Sequence, residues 1–208
     1  AVFKHGKKAN ITFNALPKDK SYAQKEGYTF FMEKEIYEQG AVVSETIMGR
    51  VKNHKVTLEN LDDEYLKGID DVVLCACGTS YHAALVASYL FERLAKVRTK
   101  VEVASEFRYR KPYLNKNSLF IVISQSGETA DTLEALRIAK EAGLKTLAIC
   151  NVDNSSIVRL ADNTLLTRAG IEKGVASTKA FATQIIVLWM LVLQMASAKG
   201  SISKKELD

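Results

Sequence analysis

The stretch "LFIVISQSGETADTLEAL", Leu119–Leu136, sets the reading of the whole chain. An apolar run of strand length ends in Ser124-Gln125-Ser126-Gly127-Glu128-Thr129, and a helix-forming run follows at once. The same rhythm recurs on either side. "DVVLCACG" (residues 71–78) is a strand ending in glycine, and "TSYHAALVASYLFERLAK" (79–96) follows with Ala83, Val86, Leu90 and Leu94 at helical spacing. "TKVEVAS" reads as a second strand, and residues 106–110 as a short helix stopped by Pro112. After the third strand, "SLFIVIS", the helix closes at Gly143, and "KTLAIC" is the fourth strand. "SSIVRLAD" reads as a short helix capped by Ser155 or Ser156, "NTLLT" as a weak fifth strand, and residues 177–198 as a long final helix. Strand–helix alternation with apolar strands predicts an α/β three-layer sandwich around a five-stranded parallel sheet. The expected order is flavodoxin-like, 2-1-3-4-5.

The flanks are simpler. Residues 1–29 are polar and aperiodic and read as a linker. Residues 30–200 form the domain, and residues 201–208 a polar tail. A helical pattern with Phe31, Ile36, Val42, Val43 and Ile47 precedes the first strand, Gly40 being a point of weakness, and residues 58–66 suggest one more helix. The chain begins at Ala1, which suggests processing or truncation. With 47% hydrophobic and 25% charged residues it has the composition of a globular domain. The net charge of +5 is scattered, so no nucleic-acid partner is expected; the cluster Lys4, His5, Lys7 and Lys8 reads as a solvated linker. Three cysteines, Cys75, Cys77 and Cys150, sit in apolar runs and read as cytoplasmic thiols. With only His82 nearby, they make no metal site. The apolar stretch at residues 180–196 is interrupted by Thr183, Gln184 and Gln194, so it reads as a buried helix rather than a membrane span.

In an open parallel sheet, ligands sit beyond the carboxyl ends of the strands where strand order reverses. Here that is between the first and third strands, so Cys77-Gly78-Thr79-Ser80 should face Ser124–Thr129 across one crevice. Glycine permits close backbone approach, helix-start N–H groups bind anions, and hydroxyls add rotatable donors. A phosphate ester is the expected ligand. Neither corner holds a Lys or Arg, so the donors are neutral. Thr79 and Ser126 could instead be plain helix caps, but caps do not explain hydroxyls clustered at both corners. Glu128 should turn away from an anion. The dinucleotide, P-loop and G-x-S-x-G patterns are absent, and His82 reads as a partly exposed helix position.

These corners resemble the sugar isomerase (SIS) domain. Six stretches together are similar to the glutamine–fructose-6-phosphate aminotransferase family: "FFMEKEIYEQ", "CGTSYHAALVASYLFE", "EVASEFRYR", "SQSGETADTLEALRIAKE", "AICNVDNSSIVR" and "GVASTKAFATQ". The resemblance implies that Ser124, Gln125, Ser126 and Thr129 hold the phosphate of fructose 6-phosphate or glucosamine 6-phosphate. Thr79 and Ser80 would close over the sugar, and Val175 would add a backbone contact. It implies the first of two phosphosugar-binding halves, without the glutaminase part or the second half that carries the catalytic groups. No catalytic residue, cofactor or metal is therefore assigned, and the isolated chain is expected to bind these sugars weakly and turn neither over. SIS domains pair, so a homodimer is expected. A phosphosugar-sensing module of a regulator is the alternative, though residues 1–29 are too short for its DNA-binding part. A self-contained phosphosugar isomerase would need its own base near the crevice.

Overall fold

The computed structural model describes residues 3–4, 7–8, 24–110 and 112–203. The expected linker at 1–29 and tail at 201–208 therefore fall largely outside the described residues. In chain order the elements are β1 (Phe3–Lys4), β2 (Lys7–Lys8), α1 (Phe31–Ile47), β3 (Val51–Lys52), β4 (Lys55–Val56), α2 (Asp63–Lys67), β5 (Asp71–Ala76) and α3 (Gly78–Leu90). A π-helical turn, Phe91–Ala95, prolongs α3 and stops at Lys96, whose φ is +54°. Then come β6 (Arg98–Val103), α4 (Ala104–Phe107), β7 (Ser118–Ser124), α5 (Ala130–Glu141), β8 (Lys145–Cys150), α6 (Ser156–Leu160), β9 (Asn163–Leu166) and α7 (Lys179–Lys199).

The main sheet has the order β6-β5-β7-β8-β9, parallel throughout, which is the expected 2-1-3-4-5. The three central strands, β5, β7 and β8, are buried on both faces because both sides are covered. Val72, Leu74, Leu119, Ile121, Ile123, Leu147 and Ile149 pack with α3 and α7. The alternate residues Val73, Cys75, Phe120, Val122 and Ala148 pack with α4, α5 and α6. Sheet residues of period two thus feed two separate cores. Fully burying a side chain such as Phe91 or Phe107 contributes about 1.5–3 kcal/mol relative to exposure.

Several local expectations need correction. Helix α4 spans Ala104–Phe107, directly after β6, rather than residues 106–110. Phe107 is drawn inward against Phe120, with ring centroids 5.2 Å apart, and that contact fixes where the chain turns. On α3 the buried stripe is Ser80, Ala83, Ala84, Ala87 and Ser88, while Val86 is exposed. Small residues let α3 lie close to the sheet. Only Asp63–Lys67 is helical within and beside residues 58–66. Leu58 and Leu61 flank a non-helical turn at residues 59–60, which Gln194 of α7 holds by accepting from the Leu58 N–H and donating to the Leu61 carbonyl. The β3–β4 hairpin was not foreseen; it turns at Asn53 and His54, both with positive φ.

Helix α1 forms in the expected place and runs through Gly40, but its buried face is largely polar: Lys34, Glu35, Val42 and Thr46. Ile36 points out. Helix α7 is long and apolar enough to cross a membrane by composition, yet most of it is packed inside the domain against α1, α2 and α3.

Candidate functional site

The two corners singled out in the sequence meet. Strands β5 and β7 are adjacent and parallel, with Cys75 opposite Val122, so the residues after Ala76 and after Ile123 leave the same edge of the sheet. Helix α3 then covers one face and α5 the other. The strand register thus brings the first turn of α3, with Thr79 and Ser80, and residues 124–129 to the same edge of the sheet on adjacent strands. Ser80 and Ser124 are buried, Gln125, Ser126 and Thr129 half-buried, and Thr79 exposed.

Neither Thr79 nor Ser126 is a helix cap. The N-cap positions are Cys77 for α3 and Thr129 for α5, and neither side chain makes a capping bond. The first-turn N–H groups of both helices thus carry no side-chain cap and point, with the positive ends of two helix dipoles, toward the crevice. The hydroxyls are preset by the backbone. Ser124 Oγ accepts from the Gly127 N–H at 3.0 Å, and Ser126 Oγ from the Glu128 N–H at 3.2 Å. With their acceptor side engaged, both keep an O–H to donate. Ser124 Oγ also lies 3.4 Å from Thr129 Oγ1. The donor set suits an anion with several oxygens.

Gly127 makes this corner possible. Its φ is +69°, and a Cβ there would lie 2.0 Å from Ser155 Oγ and 2.8 Å from Cys150 Sγ. The corner is also sewn to the next unit, since the Ile157 N–H donates to the Gly127 carbonyl. Glu128 turns away, as expected. Its carboxylate accepts from the Ser156 N–H at 2.8 Å, at the start of α6. Contact with Ser156, helped by Arg159, holds the Glu128 carboxyl below the usual range. Ser155 occupies the N-cap position of α6 but does not cap it with its side chain, which instead faces Cys150 Sγ at 3.6 Å.

A third segment reaches the same edge. Strand β9 ends beside β8, where the Thr167 N–H donates to the Cys150 carbonyl, and residues 168–178 arch from there to α7. Asn151 pins the start of the arch: its Oδ1 accepts from Thr167 Oγ1 and the Ala169 N–H, and its Nδ2 donates to the Gly170 carbonyl. The far end of α7 is tied to the end of the α3 extension by Ser201 Oγ donating to the Leu94 carbonyl. Helices α3 and α7 therefore run side by side, both starting at the carboxyl edge. Val175 stands fully exposed on the arch, apart from the two corners in sequence but on their side of the sheet. Reading the sequence missed the groups that hold this arch, Asn151, Glu35 and Glu172; the available signal was charge on the inward face of α1.

The amino edge of the sheet offers a weaker alternative. A groove there is lined by Asp71, Arg98, Lys100 and Tyr113 among others. Arg98 is paired with Asp71 and Lys100 with Glu102, so its cations are already engaged.

Residues 65–194 match the SIS domain family. The glutamine–fructose-6-phosphate aminotransferase (isomerizing) of Campylobacter jejuni is 65% identical over 92% of this chain and 32% of its own length. Its counterpart in Helicobacter pylori is 50% identical over 90% of this chain and 31% of its own. The solved C-terminal domain of glucosamine-fructose-6-phosphate aminotransferase from Francisella tularensis superposes with a TM-score of 0.84 at 45% identity, covering 88% of this chain and 52% of that one. The chain spans about a third of the length of the curated relatives it matches.

Two substitutions probe the corner. Gly127→Ala should cost at least about 2 kcal/mol in urea unfolding, from left-handed strain plus overlap with Ser155 and Cys150; wild-type stability would refute this geometry. Glu128→Gln should lower Tm near neutral pH. Because the folded-state pKa is depressed, the carboxylate stabilises above its ordinary value of about 4.3 and stops doing so as pH falls through the lowered folded value. The Tm gap between wild type and variant should therefore close in acid, and a gap independent of pH would count against the contact.

Proposed function

This chain belongs to the SIS domain family, and from that premise we propose that it binds fructose 6-phosphate and glucosamine 6-phosphate as the first phosphosugar-binding half of a glutamine–fructose-6-phosphate aminotransferase. The observation that carries the reading is the convergence of two hydroxyl-lined, uncapped helix starts from adjacent parallel strands. Identity of 65% and 50% over nine-tenths of the chain to enzymes of that name supports this reading over a regulator's sensing module.

In this reading the phosphate sits at the start of α5. It takes hydrogen bonds from Ser124, Ser126 and Thr129, with Gln125 beside them and first-turn N–H groups behind. The sugar extends toward Thr79 and Ser80, and the backbone at Val175 meets it from the arch. The donors are neutral, so each holds the phosphate less tightly than a Lys or Arg would. With Glu128 engaged at α6, the corner offers no free base to move a proton between sugar carbons, and the chain alone holds the sugar without converting it. We assign it to the cytoplasm, where its three unpaired cysteines would stay reduced. Burial pushes the Cys75 and Cys150 thiols up, which keeps them protonated and inert. The partner we assign is a second copy of the chain, as a homodimer.

Titration with fructose 6-phosphate should move the NMR amide peaks of residues 124–129, and Ser126→Ala should weaken binding about tenfold. Peaks that stay still in the wild type would end this reading. Light scattering should give twice the chain mass; a monomer at high concentration would remove the homodimer.

A further inference from the structure

The arch between β9 and α7 is held by a buried carboxylate that makes no bond to residues 124–129. Glu35 is 2% exposed and sits on the inward face of α1. Its Oε1 accepts from the Lys173 N–H at 2.5 Å, and both of its oxygens accept from the Gly174 N–H, at 3.1 and 3.0 Å. Gly174 is required by this approach: a Cβ there would lie 2.5 Å from Glu35 Oε2. A second clamp follows a few residues on, where Glu172 Oε1 accepts from the Thr178 and Ala180 N–H groups at 2.9 and 3.1 Å. A third joins α1 directly to α7, with the buried Lys179 ammonium 2.7 Å from Glu38 Oε2. Between the clamps stand Val175 and Ala176, both exposed.

Placing a carboxylate inside a helix packing face is costly unless its oxygens are used. An apolar residue would pack α1 at least as well. What a carboxylate adds is a fixed distance and direction for two successive backbone N–H groups. We propose that Glu35 is a positioning residue of the sugar site: by gripping the Lys173 and Gly174 N–H groups it sets the height of Val175 above the crevice, and so selects for a sugar ring rather than for phosphate alone. The inference rests on the phosphosugar reading given above. The phosphate cradle at residues 124–129 is built from β7 and α5 and shares none of these bonds, so the two halves of recognition are mechanically separate.

The test uses the 208-residue chain and two ligands, fructose 6-phosphate and inorganic phosphate, each titrated against the amide peaks of residues 124–129. Glu35→Gln keeps the size of the side chain but replaces one of the two oxygens that accept from the Gly174 N–H with an amide donor, which opposes that N–H and loosens the grip. It should weaken fructose 6-phosphate by about tenfold while leaving inorganic phosphate within about twofold. Glu35→Asp, which keeps the charge and shortens the reach, should fall between. If Glu35→Gln does not fold, Gly174→Ala pushes the clamp apart from the other side and should show the same selective loss. Unchanged fructose 6-phosphate affinity, or a parallel loss for both ligands, would overturn the inference alone. Wild-type peaks unmoved by either ligand would overturn the site reading and the inference with it.

Discussion

Adjacent parallel strands whose following helices lie on opposite faces create a gap that no side chain of the sheet can fill. Strands β5 and β7 are such a pair here, α3 crossing over one face and α5 over the other. The rest of the molecule is arranged around that split. Two helix starts bring uncapped N–H groups and two positive dipole ends to one place. The short polar corners after Ala76 and Ile123 leave the same edge of the sheet on adjacent strands, which is the arrangement the proposed anion site uses. The packing of the sheet guarantees the geometry, because both strands are anchored by residues buried on both faces.

The chemistry of the corner follows from how it spends its one acidic group. A carboxylate at the start of α5 would oppose an anion, yet Glu128 is placed there and turned outward to the next βα unit. It thereby caps α6 and stiffens the corner, while Gly127 supplies the left-handed turn that brings the backbone against Ser155 and Cys150. Ser124 and Ser126 accept from the backbone of the same turn, which fixes the positions of their oxygens.

Polar residues inside the helices serve the same end at longer range. Gln194 interrupts an apolar helix and holds the turn between Leu58 and Leu61. On the inner side of α1, Glu35 ties the arch and Glu38 the start of α7 to the domain, and Lys34 pairs with Glu38. The exposed tip of the arch is therefore carried on buried charge, an arrangement that trades packing energy for definition of the backbone.

The amino-acid sequence alone determined the layers, the five strands, their order and the two corners. Those features depend on local periodicity and on connection rules that hold chain-wide: an apolar run such as residues 118–124, followed at once by a helix, leaves few topologies. It also showed that Glu128 would turn away, since an anion site and an inward carboxylate are incompatible. Other features depended on partners distant in sequence. The start of α4 was set by Phe107 meeting Phe120, the exposure of Val86 by which face of α3 met the sheet, and the buried charge of α1 by backbone N–H groups more than a hundred residues away. Periodicity places a side chain on a face but says nothing of which unpaired backbone group awaits it there. Only the tertiary structure decided that Glu35 faces Gly174, because that bond exists only when two separately folded segments have come together.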